Sequence, residues 1–361
     1  MILLSVLVLL YLIQLYFVKG YFLPLLRHST NPSSKELPIS VIICAKNERD
    51  NLNRHIPLIC SQDYSDFEVL IMDDHSSDDT KSVVEGLQKS FDNIRYLQAS
   101  ESIKNKPGKK WALSEARTYA KYDHLLLTDA DSMPMSNQWI KKMTNDYNDG
   151  YRVVLGIGQY HLRNSLTNNL VQYETLFTAI SYLGMAFKGF PYMGVGRNIA
   201  YDRGVISNAG IKNGDIASGD DDIGLQPYLK APEVSISVEE ESQTISEAPK
   251  SFLEWTKQKQ RHYSTAPYYS RNIQFKLLLL KGSIYMPNYI LIIALISGVE
   301  TVNILTIFCA RFLVWWGLCD RLRRHFSFRS RIYLLPCYEL FFSVFDLWTT
   351  MKNLRKSRKA W

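Results

Sequence analysis

Thr128-Asp129-Ala130-Asp131 closes the apolar run His124-Leu125-Leu126-Leu127. Two carboxylates one residue apart, at the end of a buried strand, suit a hard divalent cation that prefers oxygen ligands. Similar acidic ends recur along the chain. Ala45-Lys46-Asn47-Glu48 follows the apolar stretch that starts at Ile39, and Asp73-Asp74-His75-Ser76-Ser77-Asp78 follows Phe67 to Met72. Carboxylates gathered on one edge repel one another unless a cation or ligand donors offset their charge. A single acidic cluster can simply start a helix, and Asp78 and Asp79 are read that way, as charges at the start of the next helix. The three clusters together predict a ligand-binding edge.

The elements that would position them alternate. Ile39 to Ala45, Phe67 to Met72, Ile94 to Gln98 and His124 to Leu127 read as strands, and Asn51 to Cys60, the stretch after Thr80, and Lys110 to Lys121 read as helices. That order predicts an α/β domain with a largely parallel sheet and its site at the strand C-terminal ends. Asn164 to Gly189 is read as a long amphipathic helix with Leu166, Leu170, Phe177 and Ile180 along one side. Asn31-Pro32-Ser33-Ser34 has the composition of a linker.

The 361 residues are 46% hydrophobic, and the apolar residues are unevenly placed. Ile2 to Val18 is interrupted only by Ser5 and Gln14. At ~1.5 Å per helical residue it covers ~25 Å, enough for a short membrane span. Bulky Tyr16 and Phe17 at its end argue for an uncleaved anchor, not a signal peptide. Lys19, Arg27 and Lys35 follow it and place the next segment in the cytoplasm by the positive-inside rule. Ile284 to Val299 and Val302 to Leu318 read as a transmembrane hairpin. Ile332 to Trp348 contains Pro336, Glu339 and Asp346 and is read as an interfacial or re-entrant helix. Ten basic residues between Arg321 and Lys359, against two acids, account for the net charge of +7. They suit an anionic phospholipid bilayer, not nucleic acid. Trp255, Tyr263, Tyr268, Tyr269 and Arg271 are read as an aromatic and basic border at the membrane interface. Five cysteines without paired spacing suggest buried thiols in a reducing compartment.

A resemblance covers Pro38 to Tyr263. Pro38 to Glu48, Asp73-Asp74-x-Ser-x-Asp78, Gly108-Lys109-Lys110-Trp111-Ala112-Leu113, Asp129-x-Asp131, Gly194-Val195-Gly196-Arg197-Asn198-Ile199-Ala200, Ser218-Gly219-Asp220-Asp221-Asp222 and Gln258-x-x-Arg261-His262 follow in order. Together they resemble glycosyltransferase family 2, inverting enzymes of the GT-A fold, and within it a membrane-anchored bacterial branch like the synthase-like members. The resemblance implies a nucleotide-sugar donor, a UDP-sugar in the first instance, and Mg²⁺ or Mn²⁺ held by Asp131 with Asp129. It places Glu48, Asp73 and Asp74 at the base and ribose, and Lys109, Asp129, Gln258 and Arg261 at the donor's diphosphate side. It also implies Gly196 and His262 on the acceptor side. The general base is expected in the acidic run as Asp221, with Asp220 as the alternative. His262 stands where the synthase-like pattern has tryptophan, which weakens the case for a polysaccharide acceptor.

These readings divide the chain into an anchor over 1–27, a GT-A domain over 36–250, an amphipathic interface segment over 251–282, and a hairpin with an interfacial helix over 283–361. The expected protein is a multi-pass glycosyltransferase of the cytoplasmic (inner) membrane, acting on a lipid-linked or membrane-presented acceptor. A processive polysaccharide synthase and a non-catalytic membrane scaffold are the alternatives.

Overall fold

Along β1 (Ile39–Ala45), Ile39, Val41 and Ile43 enter one buried cluster while Ile42 enters another, so both faces of the strand are covered. A strand covered on both faces needs the continuous apolar run seen here. In the computed structural model, which describes residues 1–28, 35–104, 106, 109–205, 233–331 and 334–356, β1 is central. It pairs in parallel with β2 (Phe67–Asp73) on one side and β4 (His124–Asp129) on the other. β3 (Ile94–Gln98) extends the parallel part beyond β2. β8 (Ile199–Asp202) runs antiparallel to β4 and to β6 (Val153–Leu155), and β9 (Val234–Ile236) adds beside β6. A small second sheet joins β5 (Ser132–Pro134), β10 (Thr244–Ser246) and β7 (Gly158–Tyr160).

One face of the sheet is covered by α2 (Arg49–Cys60), α3 (Thr80–Gln88) and α5 (Trp139–Thr144) through Leu52, Ile56, Val84 and Trp139. The other is covered by α4 (Lys110–Tyr119) and α6 (Leu166–Phe187). Register places Asp73 level with Ala45, and Cys44 level with Asp129. The acidic ends of β1, β2 and β4 therefore lie side by side, on the edge that the alternation predicts.

Among the described residues, three helical stretches are long and apolar enough to cross a membrane: Ile2–Arg27, Arg271–Ser297 and Thr301–His325. The first contains α1 (Ile2–Phe17), and the other two are α8 (Arg271–Ser297) and α9 (Thr301–His325). Gly298, in the left-handed region at φ 72°, ends α8 and opens the hairpin turn. The hairpin's first helix begins well before the expected Ile284, because its first turns pack on the α/β domain through Ile273 and Leu280.

Two expectations are corrected here. α6 is not amphipathic: fifteen of its residues are buried, among them Gln172, Tyr173, Glu174, Leu176 and Ile180, and exposed Leu166 lies at its start. The sheet lies on one side of it and membrane-helix residues such as Trp315 on another, so no face is left to water. Nor does Trp255 stand at an outer border. On α7 (Phe252–Tyr263), Trp255 is fully buried and stacks on Phe345 at 4.8 Å, while the Tyr263 hydroxyl donates to Asp346 Oδ1 at 2.7 Å.

Those partners lie on α10 (Leu335–Lys356), the segment expected to be interfacial or re-entrant. Its inner side is built into the helical bundle. Arg311 of α9 and Glu339 of α10 are both fully buried and form a forked ion pair at 3.1 and 3.2 Å. Arg311 also donates to Gln14 of α1 at 2.9 Å and to the Ile284 carbonyl of α8 at 2.8 Å, and Asn288 of α8 donates to Glu339 at 3.1 Å. One guanidinium thus joins four helices. The N-terminal helical stretch also joins the core of the α/β domain: Phe17, Tyr21, Phe22 and Leu25 share a buried cluster with Ile42 and Leu70.

Candidate active site

The acid pair sits where β4 ends. Lys109, which caps the N-terminus of α4, reaches Asp129 Oδ1 at 2.5 Å, and Ser132 donates to Asp131 Oδ1 at 3.3 Å. Burial alone would raise the Asp129 pKa, but Lys109, Arg197 and Arg261 outweigh it and hold this carboxyl below its usual range. Asp131 is pushed the other way, by burial and then by Asp129. Glu48, Nδ2 of Asn51 at 2.6 Å from its carboxylate, is also raised, first by burial and further by Asp131 and Asp129. Two oxygen-bearing side chains, one of them reluctant to ionise without a nearby cation, fit Mg²⁺ or Mn²⁺ held by few protein ligands and completed by phosphate and water. Among the described residues no three His, Cys, Asp or Glu converge as a metal-holding group, so the arrangement does not suit structural zinc.

The loops after β1 and β2 are laced together. Asn47 and His75 both adopt left-handed backbone at φ 58°. The Asn47 amide donates to Ser76 Oγ at 2.9 Å, and its side-chain oxygen accepts from the Ser77 amide at 2.7 Å. Asp73 is buried, with one oxygen accepting from the Ser76 amide at 2.8 Å and the other from the Tyr96 hydroxyl at 2.6 Å. It holds the turn that presents Asp74, whose carboxylate has Lys46 at 3.7 Å and His75 at 3.4 Å. Asp78 accepts from the Thr80 amide at 3.0 Å, the helix-starting role read for it from sequence.

The third side comes from β7, the segment before β8, and α7. Gly196 lines a small cavity with Asp129, Lys109 and Cys44. Next to it, Arg197 donates to the Gly158 carbonyl at 2.6 Å and to the Tyr160 hydroxyl at 3.2 Å, and lies over the Tyr160 ring at 4.4 Å. Asn198 is fully buried and ties Trp139, Ile157 and Ser242 together at 2.8–2.9 Å. A Cβ on Gly158 would stand 2.2 Å from Arg197 Nε, so Gly158→Ala is expected to displace Arg197 at a cost of about 1–3 kcal/mol. A lowered melting temperature, with Arg197→Ala relieving the added loss, checks this.

On α7, Ser251 caps the first turn by accepting from the Glu254 amide at 3.2 Å. Gln258 donates to the Tyr160 hydroxyl at 3.1 Å, and Lys259 pairs with Glu174 of α6 at 2.5 Å. Arg261 is exposed and its charge reaches Asp129. His262 is half-buried; burial first, then Lys259, Arg261 and Arg197, hold its pKa well below the usual histidine range.

Glu48, Asp74, Lys109, Asp129, Asp131, Gly196, Gln258 and Arg261 thus gather around the strand edge, with Asp73 behind Asp74. Asp220 and Asp221 lie outside the described residues, as do Gly108 and the linker Asn31 to Ser34. Tyr160 escaped the sequence reading, and Arg197 and His75 stand inside its motifs without a role of their own. The available signal was Gly156-x-Gly158, two glycines before an aromatic, where Arg197 and Asn198 come too close to admit a Cβ.

Residues 40–206 match the family model described as "Glycosyl transferase family 2". They form a family 2 glycosyltransferase domain. A "GalNAc(5)-diNAcBac-PP-undecaprenol beta-1,3-glucosyltransferase" of Campylobacter jejuni is 37% identical over 124 residues, 33% of this chain and 37% of that protein. A "Beta-monoglucosyldiacylglycerol synthase" of Trichormus variabilis is 29% identical over 114 residues, 31% of this chain and 24% of that protein. The chain therefore spans well under half the length of these relatives. The mannosyltransferase PcManGT from Pyrobaculum calidifontis, solved with GDP-Man and Mn²⁺, superposes with a TM-score of 0.60 at 16% identity, over 96% of this chain and 99% of that one. That likeness bears on the fold, which is GT-A-like and matches over almost the whole chain.

Proposed function

We propose that the chain transfers a sugar, with inversion, from a nucleotide-sugar to the hydroxyl of a lipid-linked or otherwise membrane-presented acceptor. A UDP-sugar is the first donor to test. The observation that carries this reading is Asp129, ion-paired with Lys109, beside Asp131, at a sheet edge whose closing helix α7 is docked on the helical bundle through Trp255 and Tyr263. The relatives named above as acting on lipid-linked or lipid acceptors support the same class. Asp74 and Glu48 take the base and ribose side. Asp129 and Asp131 would hold Mg²⁺ or Mn²⁺, which when bound supplies charge neutralisation for the departing diphosphate. Lys109, relieved of Asp129, turns its ammonium to a phosphate oxygen, and Arg261 clamps the same group with its fork of donors. The base, Asp221 or Asp220, takes the acceptor hydroxyl's proton as that oxygen bonds to the anomeric carbon from the face opposite the leaving diphosphate.

The basic residues after the anchor and around the C-terminal helices favour a multi-pass protein of the cytoplasmic membrane with its domain on the cytoplasmic side. A processive synthase would need a conduit for its product. The fully buried Arg311, Glu339 and Trp315 fill the helical bundle here, which favours single additions. A non-catalytic scaffold would have no use for the countercharged acid pair. The deciding experiment incubates membranes containing the chain with a panel of radiolabelled nucleotide sugars, followed by organic extraction. Label in the lipid phase is expected for one donor; label only in long water-soluble polymer would replace this reading with the synthase.

A further inference from the structure

His55 is buried in the middle of α2, and its Nδ1 lies 3.0 Å from the Ala130 carbonyl oxygen. A carbonyl only accepts, so Nδ1 carries the proton in this contact. Ala130 is the residue between Asp129 and Asp131, and 5% of its surface is exposed. It lies in the turn joining β4 to β5, beyond the last registered pair of β4 and before the first of β5. The sheet ladders therefore leave this carbonyl to a side chain, and a buried carbonyl without a partner is costly. Asn51 stands one turn earlier on α2, on the same face as His55, and its Nδ2 holds the Glu48 carboxylate at 2.6 Å. One helix face thus fastens two of the acidic clusters.

The carbonyl belongs to the Ala130–Asp131 peptide. The plane of that peptide sets the direction in which the Asp131 Cα–Cβ bond leaves the chain. Ser132, the next residue, shares a hydrogen bond with the Ser246 hydroxyl of β10 at 2.6 Å, so the turn is held on both sides of Asp131. Two carboxylates this close repel each other, and a loose turn would let them swing apart. We propose that His55 is a positioning residue for the acid pair: its Nδ1–H fixes the Ala130–Asp131 peptide so that Asp129 and Asp131 present oxygens to one divalent cation. This rests on the metal reading given above. His55 acts through the backbone, and the transfer needs no proton from it. Support of this kind raises affinity because less order has to be imposed on the carboxylates when the cation arrives.

In the test, Mn²⁺ is titrated into the full chain in detergent, alone, with UDP and with GDP, and the free ion is read from its electron paramagnetic resonance signal. His55→Leu keeps the bulk of the side chain and removes its N–H, and it is expected to weaken Mn²⁺ binding about 10–100-fold. His55→Asn returns an N–H to the place of Nδ1 and is expected to bind Mn²⁺ within about three-fold of wild type. A general loss of packing would not be repaired by Asn, which is smaller and more polar than Leu. Should His55→Leu fail to fold, His55→Ala, which cannot crowd the site, carries the same expectation. Wild-type affinity in His55→Leu, or equal weakness in His55→Leu and His55→Asn, would overturn the positioning role while leaving the metal reading intact. Failure of wild type to take up Mn²⁺ under any of these conditions would remove the metal reading and this role with it.

Discussion

Asp131→Ala is expected to lower sugar transfer by about three orders of magnitude and to abolish its dependence on added Mn²⁺. The scale follows from the physics. A bound divalent ion contributes several kcal/mol of charge stabilisation to a departing diphosphate, and every ~1.4 kcal/mol is tenfold in rate. Asp131 is the informative member of the pair because Asp129 already has Lys109 at 2.5 Å as a countercharge, while Asp131 accepts from the neutral Ser132 hydroxyl at 3.3 Å. Asp221→Asn is expected to lose transfer by a factor of about 10²–10⁴, the usual worth of a general base, with donor binding retained. Titration of nucleoside diphosphate with and without Mn²⁺ separates the two: Asp131→Ala loses the metal-dependent increment and Asp221→Asn keeps it. Retention of metal-stimulated transfer in Asp131→Ala would refute the assignment of the ion to this pair.

The second large effect lies far from the chemistry. Arg311→Met leaves Glu339 fully buried beside neutral groups such as Asn288, and Glu339→Met leaves Arg311 buried without its anion. Each single change is expected to destabilise the chain by about 3–5 kcal/mol, and the double Met variant to recover most of that loss. Thermal unfolding in detergent measures it, and single variants that melt with wild type would show that the pair holds nothing together. The loss is also expected to release α1 and α10, because Arg311 donates to Gln14 and Glu339 is the acid that draws α10 to it. Faster hydrogen exchange along α7, which rests on α10 through Trp255 and Phe345, is the corresponding local signature.

The parallel half of the sheet and its acidic edge were legible from sequence because the signal is local. A strand buried on both faces is a continuous apolar run, and the residues at its C-terminal end are the ones that face a ligand. β1, β2 and β4 each display both features within about ten residues. The membrane spans were legible for the same reason. The failures share a different cause. Leu166, Leu170, Phe177 and Ile180 suggest a one-sided helix, yet Gln172, Glu174 and Ser181 on its other faces are buried too, satisfied by the Tyr160 carbonyl, Lys259 and the Phe177 carbonyl. Trp255 and Tyr263 have the composition of an interfacial belt and the position of a core. An aromatic ring with one polar atom suits either environment, and only its neighbours decide.

The chain's own sequence therefore determined the family 2 domain, the order of its strands and helices, the acid pair Asp129 and Asp131, and the presence of helices long and apolar enough to cross a membrane, all of which rest on contiguous patterns. The tertiary structure alone decided that Lys109 neutralises Asp129, that Arg197, Tyr160 and Gln258 converge, and that Arg311 finds Glu339 across four helices. Those are pairings between residues 20 to 98 positions apart. Their energy comes from burial and geometry, which no local pattern of residue types encodes.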